Sequence, residues 1–572
     1  MLGKDATRTV REIAPEDIFI DSTNLPRRDD PRLEGRVVRR LSPRAILGVG
    51  VVLSVVLLGF GARLFDLSVL HGSAYAEISR ENRFYRSLDF ASRGELYDRT
   101  GRKLAWNIAP ALSGIEGQAT SSETTFARRV YSELPGLSHT IGYVRYPKAD
   151  ASGTWWREDI AGIAGAELSF NDMLAGTNGS QMVEIDATGK TQGQIIVEKP
   201  IAGKDVVLAI DAEVQSKLFS YLSAQANAQG FVGGAAAIMD IETGELIALT
   251  SFPIYDNAAF SEGDTAAVRA ASNDSRSPLL DRAISGLYAP GSIVKPIFAA
   301  AALNEGIIDP EQEIVSTGAI TIPNPYDPER PSVYRDWTVH GSINMREAIA
   351  VSSDEYFYTI GGGYGSQIGL GIRKLDEYAR VFGLGELSGI ALAGEEVGVI
   401  PTPEWKAEVF GADDPWRIGN TYHTAIGQYG FQVTPLQVVR FIAAIGNGGK
   451  LLTPQIVAGS APRYVIVGIP DEYLRVVREG MRLAVTSSRE DATVKILNIP
   501  GIEIAAKTGT AQIGAKNEWI NSWSVGFWPA EDPKYAYAIV LERARAGTLS
   551  GAAPGARPFF EWLVANKPEY VR

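Results

Sequence analysis

The sequence contains no cysteine among its 572 residues and only four histidines. The absence of cysteine excludes thiol catalysis, disulfide bonds and cysteine-based zinc sites. A Ser-His-Asp arrangement would have to use one of the four imidazoles, and we expect neither a metal site nor a cofactor. The chemistry of this chain must therefore be carried mainly by hydroxyl, amine and carboxylate groups.

The chain also lacks an excess of positive charge and a phosphate-binding motif. Its formal net charge is −12, and no basic cluster follows the first 45 residues, which argues against nucleic-acid binding. The glycines at 361–371 lack the Lys-Ser/Thr pair of a phosphate loop, so we predict loops there. Because 45% of the residues are apolar, a sizeable core is expected, and the length predicts more than one domain.

Only one stretch is long and apolar enough to cross a membrane. The eighteen residues Ala45–Ala62 carry no charge and would span about 27 Å as a helix, against a hydrocarbon core of about 30 Å. The alternatives are a buried core helix or a signal peptide, but a signal peptide rarely follows so long an N-terminal segment. Five arginines crowd the upstream flank, namely Arg32, Arg36, Arg39, Arg40 and Arg44. We therefore predict a cytoplasmic tail over 1–44, a transmembrane anchor over 45–65 and an exported remainder.

Two regions of different pattern follow the anchor. Residues 66–205 are broken and polar, and 93–107 predicts a strand, a turn at Thr100-Gly101 and a second strand. We interpret this region as a stalk or pedestal.

Residues 206–572 carry stronger signals. Asp211 precedes a helical pattern, and two apolar runs on either side of Thr243 predict a hairpin. Near the C-terminus two further strands flank a turn at Asp532, while helical patterns fill much of 292–385. We expect one antiparallel sheet, with strands from both ends of the region and helices on its faces, in an α/β (α+β) fold.

The candidate nucleophile is Ser292. It begins a helical pattern, and Lys295 follows one turn later on the same face. A serine hydroxyl needs a base to take its proton, and a neutral amine can act so where burial or a neighbouring cation favours it. A single Ser-x-x-Lys pair is expected by chance in a chain of this length, so the pair requires further support.

Two further motifs supply that support. Ser352-Ser353-Asp354 follows Ser292, and Lys507–Thr510 follows within an alternating strand pattern. S-x-x-K, S-D-N and K-T-G motifs are the signature of serine β-lactamases and penicillin-binding proteins. Other resembling segments read RGELYDRTGRKLAWN, AGIAGAELSFNDMLAG and HTAIGQYGFQVTPLQ. From the membrane segment almost to the C-terminus, the chain resembles a class B penicillin-binding protein, a peptidoglycan D,D-transpeptidase.

The resemblance implies an architecture and a cellular role. It implies a penicillin-binding-protein/serine β-lactamase-like transpeptidase domain over 206–572, carried on a pedestal or dimerisation-like domain over 66–205. The segments DEYFYTIGGGYG and PTPEWK are similar to penicillin-binding protein 2 of the elongation machinery, and Asp354 stands where division paralogues carry asparagine. Side-wall synthesis is therefore favoured over septation. The stretch from Asn107 to His139 is much shorter than in relatives, which predicts a shortened head subdomain.

The resemblance also implies roles for the catalytic residues. Ser292 attacks the penultimate D-alanine of a stem peptide, with Lys295 as its base, and the amine of a second stem resolves the acyl-enzyme. Ser352 passes a proton to the leaving amine, although a helix-cap role is the alternative. The backbone N–H groups of Ser292 and Thr510 form the oxyanion hole.

The remaining motif residues surround the substrate carboxylate. An ionised carboxylate only accepts hydrogen bonds, so Asp354 is expected to pair with one of the two motif lysines. Lys507 keeps Lys295 neutral by charge repulsion and helps to dock the substrate carboxylate. The substrate-binding positions are Thr508, Gly509 and Thr510. His340, in the segment DWTVHGS, is interpreted as structural.

Other functions stay open at this point. A β-lactamase is opposed by the membrane tether and the pedestal, and a β-lactam sensor by the lack of further membrane helices. An inactive scaffold is opposed by the intact motifs, and a division-type transpeptidase is the remaining alternative. Residues 64–205 are too short for a glycosyltransferase domain, so the resemblance implies a SEDS-type glycosyltransferase and the rod-elongation complex as partners, with β-lactams as inhibitors.

Overall fold

The computed structural model describes residues 42–81, 84–109, 126–151, 154–185, 191–324, 327 and 329–571. Nearly all of the predicted cytoplasmic tail lies outside the described residues, as do positions 110–125 of the predicted shortened head. The chain divides into two compact units, Met1–Tyr85 with Met182–Gln194, and Arg86–Gln181 with Ile195–Arg572.

The first unit contains the apolar helix. Helix α1, Pro43–Phe65, begins after Ser42, whose hydroxyl accepts a hydrogen bond from the first turn. It continues as a π-helical turn over Asp66–Leu70, and α2 follows over Gly72–Glu81. Within the described residues, Pro43–Leu70 is the only helix long and apolar enough to span a membrane, with a mean hydropathy of 2.5 and no buried residue. Its length and composition are those of a single membrane anchor.

Short strands and helices alternate between the anchor and residue 210. In chain order they are β1 Phe84–Asp89, β2 Leu96–Tyr97, β3 Lys103–Ile108, β4 Arg128–Tyr131, α3 Ser138–Ile141, β5 Val144–Arg145, β6 Lys148–Ala149, β7 Trp155–Arg157, β8 Ala161–Gly162, α4 Gly165–Ser169, α5 Asn171–Leu174, β9 Gly179–Ile185, β10 Thr191–Glu198 and β11 Val206–Val207. One four-stranded sheet has the order β11-β2-β3-β4, in which Leu96 lies opposite Ala105. The strand-turn-strand prediction for 93–107 is confirmed.

A buried group of charges ties this region together. Glu167 accepts a hydrogen bond from Arg93 Nε at 2.6 Å on one carboxylate oxygen and from Arg129 Nε at 2.7 Å on the other. The three side chains are at most 1% exposed. Arg93 donates further to the carbonyl oxygens of Ile160 and Glu167, at 2.8 and 2.9 Å. Two cations buried around one carboxylate make the fold of this region dependent on that carboxylate.

The remaining elements form the large domain. In chain order they are α6 Ala212–Gln229, β12 Gly233–Asp240, β13 Leu246–Phe252, α7 Asn257–Glu262, α8 Thr265–Asn273, α9 Lys295–Asn304, β14 Ile314–Ser316, β15 Ala319–Ile322, β16 Ser332–Arg335, β17 Gly341–Ile343, α10 Met345–Val351, α11 Asp354–Gly362, α12 Gly371–Val381, α13 Pro403–Phe410, α14 Ile418–Ala425, α15 Pro435–Gly446, β18 Lys450–Leu452, β19 Tyr464–Ile466, α16 Asp471–Thr486, β20 Ala505–Ile513, β21 Trp519–Trp528, β22 Tyr535–Arg545 and α17 Ala552–Asn566. Short 3-10 turns cover Gly291–Val294, Lys495–Leu497 and Pro568–Tyr570.

A five-stranded antiparallel sheet organises this domain, with the order β13-β12-β22-β21-β20. Alternate residues of a strand point to opposite faces, so Ala236 and Ile238 of β12 join one core while Ala235 and Ala237 join the other. Helices α6 and α17 build the first core, and α9, α11 and α15 belong to the second. The predicted sheet, drawn from both ends of the domain, and the α/β (α+β) fold class are confirmed.

Local signals explain several element boundaries. Asp211 caps α6 by accepting hydrogen bonds from the N–H groups of Glu213 and Val214. The hairpin around Thr243 is formed by β12 and β13. Between α9 and α10, however, the chain forms the four strands β14–β17, which the helical interpretation of 292–385 missed. These strands have three or four residues each, too few to give a periodic signal.

The loop prediction for the glycines at 361–371 is wrong at both ends, since Gly371 begins α12. Gly361 and Gly362 form the last turn of α11. A Cβ atom on Gly361 would lie 2.5 Å from the Cβ of Ala425, and one on Gly362 would clash with the ring of Tyr422. The glycines therefore serve close packing between α11 and α14 within a helix.

Candidate active site

Ser292 lies in the 3-10 turn that leads directly into α9. The turn is held from one side by Gly427, whose carbonyl accepts the N–H of Gly291 at 2.9 Å. Gly427 has a φ of 74°, and a Cβ there would clash with the Gly291 carbonyl. Glycine at 427 thus permits the close approach that fixes the backbone of the serine turn.

Strand β20 holds the same turn from the other side. A Cβ on Gly291 would lie 3.2 Å from the carbonyl oxygen of Thr510, and one on Gly509 would lie 2.8 Å from that of Pro290. Because β20 is an edge strand of the sheet, its outer backbone groups are not paired with a further strand of that sheet. The Lys507–Thr510 segment is therefore held beside Ser292, although over two hundred positions separate them.

The Lys295 amine is buried beneath the serine turn. It donates hydrogen bonds to Asp354 Oδ1 at 2.6 Å and to the Ser352 carbonyl at 2.7 Å, and it lies 3.4 Å from Ser352 Oγ. The Lys295 side chain is 0% exposed, whereas that of Asp354 is 21% exposed. Lys295 therefore has a carboxylate counter-ion and a fixed position against the Ser352–Asp354 segment.

The Lys507 amine reaches the same serine from β20. It donates to Ser352 Oγ at 2.7 Å and to the Thr508 carbonyl at 2.8 Å. Burial and the positive charge of Lys295 lower the pKa of Lys507 well below its ordinary value, and the Asp354 charge opposes them only in part. The repulsion between the two cations thus favours a neutral Lys507, and the Ser352 hydroxyl bridges the two amines.

Ser352 adopts an unusual backbone conformation. It ends α10 with φ 60° and ψ 39°, a left-handed conformation that few non-glycine residues adopt. The next residue, Ser353, caps α11 by accepting the N–H of Tyr356 at 3.2 Å. The helix-cap role considered for Ser352 therefore belongs to Ser353, and the Ser352 hydroxyl stays between the two lysines.

These groups meet at one cleft of 1390 Å³. Its walls include Ser292, Ser352, Asp354, Thr508 and Thr510, together with the aromatic or imidazole rings of Tyr334, Trp337, Tyr358, His423 and Tyr429. The two lysines are buried, and Gly509 packs against the serine turn. Over the described part of the chain, no group of three or more His, Asp or Glu side chains is placed to hold a metal ion. A cleft-lining serine, with the Ser352 hydroxyl and two amines at the same cleft, is an arrangement that can perform acyl transfer.

Family models identify the chain. Residues 234–561 match the penicillin binding protein transpeptidase domain. The chain belongs to the penicillin-binding proteins. Residues 112–208 match the penicillin-binding protein dimerisation domain, which makes the chain a class B member of the family. It is a peptidoglycan D,D-transpeptidase of the serine type.

Individual relatives agree with this assignment. The peptidoglycan D,D-transpeptidase MrdA of Acinetobacter baumannii is 27% identical, over 95% of this chain and 90% of its own length. A complex between penicillin-binding protein PBP2 and MreC from Helicobacter pylori is similar with a TM-score of 0.68 and 25% identity, covering 85% of this chain and 99% of that one. A structure concerned with polymerization and crosslinking by a peptidoglycan synthase complex has a TM-score of 0.67 and 25% identity, covering 92% of this chain and 98% of that one.

Sequence reasoning missed the groups that support the motifs of this penicillin-binding protein. Asp336 Oδ2 accepts the Ser353 hydroxyl at 2.6 Å and the N–H of Glu355 at 2.9 Å. Burial alone would raise the pKa of Asp336, but the neighbouring His340 imidazole and the hydrogen bond from Ser353 lower it to about 2. The only available signal was the segment DWTVHGS, in which His340 stood out but Asp336 did not.

A second supporting contact lies before the nucleophile. The indole N–H of Trp523, on β21, donates to the carbonyl of Ala289 at 3.0 Å. The Trp523 ring also makes an edge contact with that of Tyr288, whose backbone pairs with Val433. No local pattern marks Trp523 as functional, because its effect depends on the pairing of β21 beside β20.

Proposed function

We propose that Ser292 is the nucleophile with which this enzyme cross-links peptidoglycan stem peptides and the residue that β-lactams acylate. The observation that carries the proposal is the convergence of a cleft-facing serine, a bridging Ser352 hydroxyl and two buried lysine amines. Lys295 is the base, since it lies one turn from Ser292 at the start of α9.

Proton transfer through the Ser352 hydroxyl provides a route by which Lys295 becomes neutral. Before substrate binds, Lys295 is paired with Asp354, and Lys507 favours the neutral amine. A substrate carboxylate at Thr508 and Thr510 brings negative charge near Lys507 and favours its protonation. Lys295 then gives a proton to Ser352 Oγ while that hydroxyl gives its own proton to Lys507. The neutral Lys295 amine can next accept the proton of Ser292.

The covalent steps follow from this arrangement. Ser292 Oγ attacks the carbonyl carbon of the penultimate D-alanine, and the bond to the terminal D-alanine nitrogen breaks. The leaving nitrogen takes its proton from Lys295 by way of Ser352 Oγ. The amine of a second stem attacks the ester carbonyl carbon and forms the cross-linking amide as the ester bond to Ser292 Oγ breaks. Its proton passes to Lys295 and from there to Ser292 Oγ, which regenerates the hydroxyl. Backbone N–H groups of Ser292 and Thr510 stabilise both oxyanions, each donor being worth about 10²–10³ in rate.

We further propose a place for the enzyme in side-wall synthesis. Asp354 in the second motif and the similarity to MrdA and to PBP2 support this role over septation. The proposed partners are a SEDS-type glycosyltransferase and the rod-elongation complex, in keeping with the MreC complex and the synthase complex of similar proteins. The proposed topology has 1–44 in the cytoplasm, an anchor at 45–65, and the pedestal (66–205) and transpeptidase domain (206–572) outside.

Depletion of the chain in the bacterium that encodes it tests the side-wall role. We expect the cells to lose their rod shape and become round, because side-wall cross-linking stops while septal synthesis continues. Microscopy of cell length and width during depletion is the measurement. Long filaments of unchanged width would instead assign the enzyme to division.

A complementing copy provides the control for the partner proposal. The unmodified copy should restore rod shape and co-purify with a SEDS-type polymerase from detergent-solubilised membranes. A copy whose residues 45–65 are replaced by an unrelated apolar helix of equal length should lose both properties. Absence of any such polymerase from the purified unmodified chain would contradict the partnership.

A further inference from the structure

His340 is buried between two carboxylates. Its Nδ1 lies 2.8 Å from Asp491 Oδ2, and its Nε2 lies 3.5 Å from Asp336 Oδ1. The side chains of His340 and Asp336 are 0% exposed, and that of Asp491 is 18% exposed. One imidazole therefore faces an acid on each side, behind the wall of the cleft that Asp336 and Asp491 line.

One of these carboxylates is attached to the second catalytic motif. Asp336 binds the Ser353 hydroxyl at 2.6 Å and the N–H of Glu355 at 2.9 Å, so it holds the residues on both sides of Asp354. The neighbouring Trp337 indole donates to the carbonyl of Val351 at 3.2 Å. The segment that carries His340 therefore holds the chain immediately before and after Ser352, whose backbone is in the left-handed conformation.

The other carboxylate is held by Arg489. The guanidinium binds both oxygens of Asp491, at 3.0 and 2.9 Å, and also donates to the carbonyl of His340 at 2.9 Å. The charged groups that surround His340 directly or through these partners are Asp336, Asp491, Arg489, Glu355, Glu347 and Lys295. The Glu355 carboxylate accepts hydrogen bonds from the Ser316 hydroxyl and the Thr317 N–H, and Glu347 lies 3.9 Å from Arg489.

The charge count of this group depends on the imidazole. Two carboxylates and one guanidinium carry a net charge of one negative unit, and a protonated His340 balances it. A neutral imidazole has one N–H group, so one of the two acids would face a ring lone pair. An imidazolium has two N–H groups and can bind Asp336 and Asp491 together.

We propose that His340 is a positioning residue that, as an imidazolium, binds Asp336 and Asp491 together and thereby fixes Ser352 between the two catalytic lysines. Loss of the proton releases one carboxylate, loosens the contacts of Asp336 with Ser353 and Glu355, and slows acylation of Ser292. The inference rests on the proposed role of Ser292 and extends it to a residue that touches neither substrate nor nucleophile.

The direction of the pH dependence follows from the surroundings. Burial opposes the charge on His340, but the hydrogen bond with Asp491 and the negative charges of Asp336 and Asp491 outweigh it and raise the pKa of His340. The pKa of Asp491 is lowered to about 2 by Arg489, with a further contribution from His340, so both acids stay ionised near neutral pH. The imidazolium is therefore present below the ordinary pKa of histidine and is lost as pH rises through the raised value.

Acylation of the full chain in detergent by a fluorescent penicillin tests this inference, with rates measured between about pH 5 and about pH 9. The acylation rate of the unmodified chain should fall as the pH rises on the alkaline side, which gives the pH–rate curve a falling limb. His340→Gln cannot titrate, so it should lack that limb and acylate about tenfold more slowly near pH 6. Asp491→Asn should move the limb to lower pH by about one unit. The loss should lie in the acylation rate constant, with unchanged non-covalent affinity for the drug.

A second buried histidine supplies the matched control. His139 donates from Nε2 to the Pro278 carbonyl at 2.9 Å and does not line the cleft, so His139→Gln should leave the pH midpoint of the fall in acylation rate unchanged. If the acylation rate of His340→Gln or of Asp491→Asn fell with the same pH midpoint as that of the unmodified chain, the inference would be overturned. The role of Ser292 would stay intact. Absence of any adduct on the unmodified chain would overturn the proposed function and this inference with it.

Discussion

Replacing Lys295 with methionine should lower the rate constant for acylation of Ser292 by about 10³-fold. Methionine keeps a long apolar side chain in the buried site but supplies no amine to accept the serine proton. It also removes the counter-ion of Asp354 at 2.6 Å, so that carboxylate loses its partner near the Ser352 hydroxyl. The measurement is the time course of labelling of the full chain by a fluorescent penicillin.

A surface lysine gives the matched control for this substitution. Lys374 is also ion-paired, with Glu305 and Glu377, but its side chain is 38% exposed and it does not line the cleft. Lys374→Met should therefore label at the rate of the unmodified chain. If Lys295→Met labelled within tenfold of that rate, the base would have to be another group, and Lys507 would be the nearest amine to Ser352.

Replacing Glu167 with glutamine should lower the free energy of unfolding by about 3–5 kcal/mol, because it removes the charge that balances two buried guanidiniums. Arg93 and Arg129 bind its two carboxylate oxygens, and none of the three side chains is more than 1% exposed. The amide can accept on one oxygen only, so one arginine would face an N–H group. Urea unfolding of the full chain in detergent, followed by tryptophan fluorescence, measures the loss.

An exposed ion pair between Arg128 of this region and Glu262 of α7 is the reference. Glu262 and Arg128 lie 2.9 Å apart with side chains 49% and 36% exposed. Exposed pairs contribute at most about 1 kcal/mol, so Glu262→Gln should change stability little. Equal effects of the Glu167 and Glu262 substitutions would show that the buried group does not hold this region together.

The sequence was sufficient to predict those parts of the site whose residues lie close together in the chain. The one-turn spacing of Ser292 and Lys295 corresponds to a 3-10 turn that holds Ser292 and leads into α9, which begins at Lys295. The alternating pattern around Lys507 predicted the strand β20. The strands at both ends of the domain were predicted because hairpins are local. The family resemblance then joined the three motifs, which no local pattern could do.

The long-range contacts could not be predicted in the same way. His340 and Asp491 are 151 positions apart, and their contact exists because the loop after α16 packs against the segment that follows β16. The pattern around His340 favoured a structural role, since one histidine without a partner in sequence gives no sign of two acids beside it. Likewise, which lysine has the lowered pKa depends on the position of Asp354, which pairs with Lys295.

Long-range contacts also explain the errors in the fold prediction. The glycines from 361 were predicted as loop because they match no phosphate-binding motif, but contact with Ala425 of α14 requires the absence of a side chain at Gly361, within α11. The short strands β14–β17 gave no period, because each has three or four residues. In both cases tertiary contacts outweigh local preference.

The most direct test of the central claim is the intact mass of the full chain after incubation with penicillin, compared with its Ser292→Ala variant. We expect one stable adduct, equal in mass to one drug molecule, on the unmodified chain and none on the variant. A control variant, Ser285→Ala, should keep the adduct because Ser285 does not line the cleft. An adduct that persists on Ser292→Ala, or its absence from the unmodified chain, would contradict the assignment of Ser292 as the nucleophile.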